Sequence, residues 1–341
     1  MAENTITGLI PEIYEALDIV SRELTGMIPS ATMNASSNTA AVGQAIRIDV
    51  EPAGNVSNIA PAMTVPDPTG QTSGFTDIII TKSRAAEFGF LGEDQKGLNT
   101  GAGYGTVRAN KIAQAIRAVT NEVETDLCGL QSTFSRAHGT AGTAPFGTAN
   151  DYTDASNVLK ILKDNGSPLQ DNQLVINTTA GVNLLGKQAA VADAGSDSIL
   201  RQGVLLDING MPIRESAQIV DQAAGGIAGA ATTNAAGYAV GANVLTLAAG
   251  GTGNVVAGDV VTFAGDTNKY VVASAVFAGV NPAAGDTITL AAPGLRVAMT
   301  AATKAITKIA ASSRNMAFNR SAIVLAARPP ARPVEGDMAS D

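Results

Sequence analysis

The chain has one cysteine, one histidine and no tryptophan. A lone Cys128 excludes an internal disulfide framework and any cysteine-based zinc site. A lone His138 leaves no second imidazole for a histidine-pair metal centre. Neither a metal nor any other cofactor is expected. Charged residues make up 15% and aromatics 4% of the 341 residues, the former well below the roughly 25% usual in soluble globular chains. The apolar fraction is an ordinary 45%, so this is not the high-charge, low-hydrophobicity composition of a disordered chain. With 22 basic against 30 acidic residues the formal charge is −8, and no basic stripe of the kind that grips nucleic acid is visible. Met1–Thr7 has no basic region or apolar core, so no secretory signal is expected there. The charge-free run between Gln222 and Gly258 is long enough to cross a bilayer, but it is built of Ala, Gly, Thr and Asn, whose transfer into lipid is poor. No membrane span is expected.

Length alone suggests about two domains, and the pattern along the chain divides further. Residues 1–35 read as an N-terminal arm, in which Ile10, Ile13, Leu17, Val20 and Leu24 form one apolar helical stripe, stopped by Gly26 and Pro29. Such a short helix must dock on its own chain or on another subunit. Residues 36–101 form an extended excursion. Ile46, Ile48 and Val50 alternate with charged residues as in a half-buried strand, with a partner at Thr76–Lys82. The stretch between contains Pro52, Pro61, Pro66 and Pro68 and no clear element, as in a functional arm or lid.

In residues 102–149 the apolar series Ile112, Ile116, Val119, Val123, Leu127, Leu130 and Phe134 predicts a helix over 106–137, stopped by Gly139 and roughly 45 Å long. Arg108, Lys111, Gln114, Arg117, Asn121 and Glu124 occupy the opposite face. One helix of that length acts as a spine along an elongated subunit. Residues 150–221 read as α/β: a helix Tyr152–Asn165, a strand Gln173–Asn177, a helix capped by Thr178 or Thr179, an element at Ser198–Gln202, and a hairpin of Val204–Ile208 and Met211–Ile213 turned by Asn209-Gly210.

Residues 222–311 carry 7 charges in 90 residues, and they contain an echo. Ala257-Gly258-Asp259 launches Val260–Ala264, and Ala284-Gly285-Asp286 launches Thr287–Ala291, each with alternating side chains. Further strands at Val244–Leu247 and Tyr270–Ala273 suggest a small all-β barrel. Its interior is expected to hold Val261, Phe263, Ile288 and Leu290. The α/β pattern resumes over 312–341, which makes 222–311 an insertion.

The chemistry-bearing residues are few. Gly101-Ala102-Gly103-Tyr104-Gly105 lacks the preceding strand and the spacing of a phosphate loop, and reads as a hinge. His138 is expected to cap the long helix by complementing its dipole, and Cys128 to be a buried, inert thiol. Glu93-Asp94 and Glu122/Glu124 are expected on solvated faces, not as an acid–base pair. No catalytic residue emerges, and the chain is not expected to be an enzyme.

This order resembles the major capsid proteins of tailed bacteriophages, most closely podovirus coat proteins with an inserted β-barrel. The resemblance is carried by Ser36-Ser37-Asn38-Thr39 leading into Ile46–Val50 with Glu51-Pro52, by Val244–Leu247 followed by Ala257–Gly265, and by the return Asn315–Phe318 and Ala322–Leu325. It covers nearly the whole chain with short, degenerate motifs, and departs from the family in ending soon after Arg332-Pro333. The resemblance implies an α+β fold with N-arm, extended loop, spine-helix peripheral domain, α/β axial domain and inserted barrel. It implies self-assembly as pentamers and hexamers into an icosahedral virion shell, put together in the host cytoplasm. The implied partners are a scaffolding protein, a portal at one vertex, and packaged DNA held only loosely. Ile13, Leu17, Val20, Leu24, Pro61, Pro66 and Pro68 would meet neighbouring subunits. The rival readings are a bacterial surface-array or adhesin subunit, and a carboxylate-dependent hydrolase.

Overall fold

A computed structural model describes residues 24–34, 41–50, 73–87, 104–148, 151–187 and 207–328, with the isolated positions 89, 91, 92, 96 and 205. The chain mixes helix and sheet and divides into two compact units, one of Met1–Ala31 with Ala86–Ala322 and one of Thr32–Ala85 with Ile323–Asp341. In chain order the elements are β1 (Thr32–Met33), β2 (Ala45–Val50), β3 (Gly74–Ile79), α1 (Tyr104–Gly129), β4 (Arg136–Ala137), α2 (Thr153–Asp164), β5 (Asn172–Asn177), α3 (Thr178–Lys187), β6 (Ile213–Ser216), β7 (Val244–Thr246), β8 (Val260–Phe263), β9 (Lys269–Val276), β10 (Thr287–Leu290), β11 (Ile306–Lys308), β12 (Met316–Asn319) and β13 (Val324–Leu325).

In the smaller unit, β1 lies parallel to β13 and β2 pairs antiparallel with β3, with Ile46 opposite Ile78. The second strand of that hairpin ends at Ile79, short of the expected Lys82. The proline-bearing stretch between the strands, including Pro61, Pro66 and Pro68, lies outside the described residues.

In the larger unit, α1 runs for 26 residues and continues as a 3-10 turn over Leu130–Thr133. It is therefore about 39 Å long, shorter than the sequence pattern implied. Phe134 turns extended, and the carbonyl of the next residue, Ser135, accepts from Val271 N–H in the β-rich region. That draws Arg136–Ala137 into β4, against β9.

The α/β part is a three-stranded sheet ordered β12-β5-β6, with β12 antiparallel and β6 parallel to β5. β5 is covered on both faces, and Leu174 and Ile176 pack with Phe146, Ala155, Ala180, Leu184 and Met211 beneath α2 and α3. The N-terminus of α3 is capped by Asn177, whose Oδ1 accepts from Ala180 N–H at 2.9 Å. The cap therefore precedes Thr178 and Thr179, because Asn177 at the strand end already has its side chain turned toward the free amides. Asn209-Gly210 forms the expected tight turn, both residues at positive φ, between Ile208 and Met211.

Residues 222–311 form a sheet ordered β11-β8-β9-β10-β7. Its two edges are joined by one segment: Thr232 bridges to Ala305 beside β11, and Thr233 bridges to Leu247 beside β7. The sheet is closed on itself, which leaves neither edge strand bare. The interior holds Leu245, Leu247, Val261, Phe263, Tyr270, Val272, Ile288, Leu290, Leu295 and Ile306, all buried. The chain enters and leaves this barrel side by side, Gln222 pairing with Ser312.

The repeated Gly-Asp turns have one design. Gly258 and Gly285 sit at φ +88° and +96°, the left-handed region that favours glycine. Each following aspartate is buried and folds back on the amide three residues earlier. Asp259 accepts from Val256 N–H and Asp286 from Ala283 N–H, both at 2.8 Å. Each also accepts a more distant amide, Gly225 for Asp259 and Ala278 for Asp286.

Candidate functional site

Of the residues expected at subunit contacts, Ile13, Leu17 and Val20 lie outside the described residues. Leu24 is 43% exposed. Val261, Phe263, Ile288 and Leu290 come together in the barrel core. Of the expected hinge, only Tyr104 and Gly105 are described, both in the first turn of α1.

Glu124 is not on a solvated face. It is fully buried, and its carboxylate accepts Gly26 N–H and Met27 N–H on Oε1 at 2.8 Å and Ile28 N–H on Oε2 at 3.0 Å. Three consecutive amides at the start of the Ile28–Ser30 turn make an anion cradle, and the carboxylate fills it. Sequence reading missed this because Glu124 falls on the polar side of the helical period, and the amides that bind it are 97 residues away, give or take one. Gly26 is required there, since a Cβ would lie 2.8 Å from both the Glu215 carbonyl oxygen and Val175. Ser30 Oγ donates to Gly26 O and receives a bond from Arg214.

Cys128 is buried, with Sγ 3.5 Å from Ser216 Oγ. Burial, helped by the nearby Glu124 charge, pushes its thiol up to about 11, so at neutral pH it is neither thiolate nor nucleophile. His138 does not cap the long helix, which ends before it. It follows β4, with Nε2 3.2 Å from the Asn157 amide nitrogen and 3.7 Å from Asp154 Oδ1. Asp154 in turn accepts Phe146 N–H, so this pair buttresses a loop.

Among the described residues, the most deeply buried acidic side chains are thus occupied by main-chain amides: Glu124, Asp259 and Asp286 each hold two or three. Glu215 is different. Burial pushes its carboxyl up, and its Oε1 sits where a Cβ of Gly181 would be, 1.3 Å away. No second carboxylate approaches it among the contacts described, and the acid–base pair of a glycosidase-type hydrolase is not assembled there. Among the described residues no cluster of His, Cys, Asp or Glu could hold a metal ion, and no helix is long and apolar enough to cross a membrane.

Several polar contacts that tie separate parts of the larger unit together sit at and just beyond the end of α1. Gln131, nearly buried, donates Nε2–H to Val220 O at 3.0 Å and accepts Arg314 N–H on Oε1 at 3.1 Å. Arg314 donates to Gly258 O, and a Cβ on Gly258 would lie 2.7 Å from Ser132. Arg136, with 4% of its side chain exposed, reaches Asn268 in the barrel and Asp164 on α2. The barrel is therefore tied into the rest of this unit by several hydrogen bonds.

The smaller unit presents the opposite character. On the β2–β3 hairpin only Ile46 is buried, while Val50, Phe75 and Ile79 are 49%, 54% and 49% exposed. Arg47 stacks over Phe75 at 3.6 Å and pairs with Asp77 at 3.2 Å.

No family model matches the chain, and no curated protein matches it. Among solved structures it is similar to one of Mycobacterium phage Che8, with TM-score 0.43 and 14% identity over 87% of this chain and 91% of that one. It is also similar to the mature capsid of bacteriophage PhiM1, with TM-score 0.41 and 14% identity over 85% and 86%. A third is the capsid of the cyanophage P-SCSP1u, with TM-score 0.39 and 14% identity over 86% and 88%.

Proposed function

We propose that this chain is a structural shell subunit, a major capsid protein of the tailed-phage type, and not an enzyme. The observation that carries this reading is the β2–β3 hairpin. A two-stranded hairpin is at best marginally stable alone in water, yet this one leaves Val50, Phe75 and Ile79 about half exposed. Such a hairpin is built to be finished by a surface outside its own chain, and a second copy supplies one in every repeat of a shell. The occupied state of Glu124, Asp259 and Asp286 agrees, since each of these buried carboxylates closes a backbone cradle. The low charge and the abundance of Gly and Ala suit close, repeated packing, and a charge of −8 suits a wall that does not grip DNA.

In this reading the subunit occupies pentamers and hexamers of an icosahedral virion shell. It assembles in the host cytoplasm with a scaffolding protein and joins a portal at one vertex. Residues 1–35 and the extended loop lap over neighbours, and 222–311 is an inserted barrel that stabilises the subunit. Negative-stain microscopy of the purified protein, alone and co-expressed with a scaffolding protein, should show closed shells. Deleting residues 56–72 should leave a soluble subunit with native circular dichroism that closes no shells. Normal shells from that deletion would refute the role given to the extended loop, and flat lattices from the intact chain would favour a surface array.

A further inference from the structure

Buried polar side chains at the C-terminal end of α1 and in the 3-10 turn that continues it lie in one line. Glu124, Cys128 and Gln131 are spaced i, i+4 and i+7, which stacks them on a single face. Each holds a different passage of the chain. Glu124 holds the amides of 26–28, Cys128 meets Ser216 at the end of β6, and Gln131 holds Val220 O on the way into the barrel and Arg314 N–H on the way out. The outer stations are about 10 Å apart along the helix axis. In the other half of α1, Ile112 and Ala113 are buried with Ile116 against them, and Val119 is exposed.

We infer that this seam is a rigid joint coupling the N-terminal anchor at residues 26–28 to the stalk of the barrel at Val220 and Arg314. A buried carboxylate stripped of three donors, or a buried amide stripped of its acceptor, is strongly disfavoured, so neither passage slides along the helix independently. A displacement of residues 26–28 must carry Glu124 with it. The hydrogen-bonded helix between Glu124 and Gln131 is stiff, so Gln131 follows and moves both strands of the stalk. The coupling belongs to the single subunit and does not depend on shell formation.

Amide hydrogen exchange on the unassembled full-length chain, read by mass spectrometry, tests it. Glu124→Gln keeps the shape but turns an NH2 donor toward amide donors. Exchange in a peptide spanning 24–31 should rise about tenfold, and exchange in peptides spanning 218–222 and 312–317 should rise about threefold. Peptides from 105–117 and 260–263 should not change. Coupling is reciprocal, so Gln131→Met should speed exchange in 24–31 by a similar factor of about three. A rise at 24–31 with no change at 312–317 would show two independent stations and overturn the joint. So would an even rise in every peptide, which marks ordinary core. If Glu124→Gln does not fold, the response of 24–31 to Gln131→Met decides alone: a rise supports the joint, and no change overturns it.

Discussion

The barrel and the β2–β3 hairpin are both antiparallel β-structure drawn from one chain, and they solve opposite problems. In the barrel, Thr232 and Thr233 pair with both edges, and Val261, Phe263, Ile288 and Leu290 face one interior. In the hairpin, among the described residues, Val50, Phe75 and Ile79 are left about half exposed. Alternation therefore says which face of a strand is apolar and nothing about where its cover comes from. A closed sheet carries its stability within itself, whereas this open hairpin offers apolar side chains on both faces, Val50 on one and Phe75 and Ile79 on the other, to whatever completes it.

The largest expected effect is in the barrel core. Phe263 is 2% exposed and its ring centroid lies 5.9 Å from that of Tyr270, so Phe263→Ala should destabilise the subunit by about 3–5 kcal/mol in urea melts. A loss below about 1 kcal/mol would mean the barrel is loosely packed and would erase the contrast with the hairpin.

An alkaline titration sharpens the same contrast. Burial, aided by the hydrogen bond from its hydroxyl to Asp266, pushes the Tyr270 phenol from 10.0 to about 12. Between those values the folded barrel keeps a proton that the unfolded chain releases. Stability is therefore lost as pH rises through that window, by at most about 1.4 kcal/mol per pH unit from this group. Cys128 adds a fall of the same sign between 9.0 and about 11. Tyr270→Phe should flatten the upper part of the curve, and an unchanged slope would assign the loss elsewhere.

The smallest effect should be in the hairpin. Phe75→Ala removes a half-exposed ring that stacks only on Arg47 among the ring contacts described, so the melting curve of the unassembled subunit should shift by no more than about 0.5 kcal/mol. Shell yield from the same variant should drop. A large stability loss would mean the hairpin is covered within its own subunit.

Much of this architecture was legible in the residue order. The Gly258-Asp259 and Gly285-Asp286 echo marked two equivalent strand starts, because a positive-φ glycine and an aspartate that folds back on its own turn are local devices. Asn209-Gly210 marked its turn for the same reason. The spine helix was visible in its period, though its end was placed too late: Phe134 keeps the helical spacing, while the pull of β9 on Ser135 and Arg136 comes from residues more than 130 positions away.

Local rules, then, determined the periods, the turns and the inventory of chemistry, including a single thiol and a single imidazole with no obvious partners. Tertiary structure decided which polar groups would be buried and what would satisfy them. Glu124 looks like any surface glutamate until the amides of Gly26, Met27 and Ile28 arrive, and Thr232 and Thr233 look like loop until β7 and β11 flank them. Hydrogen-bond demand is a property of every backbone group, and the partner that meets it depends on which distant segments the fold brings within about 3 Å.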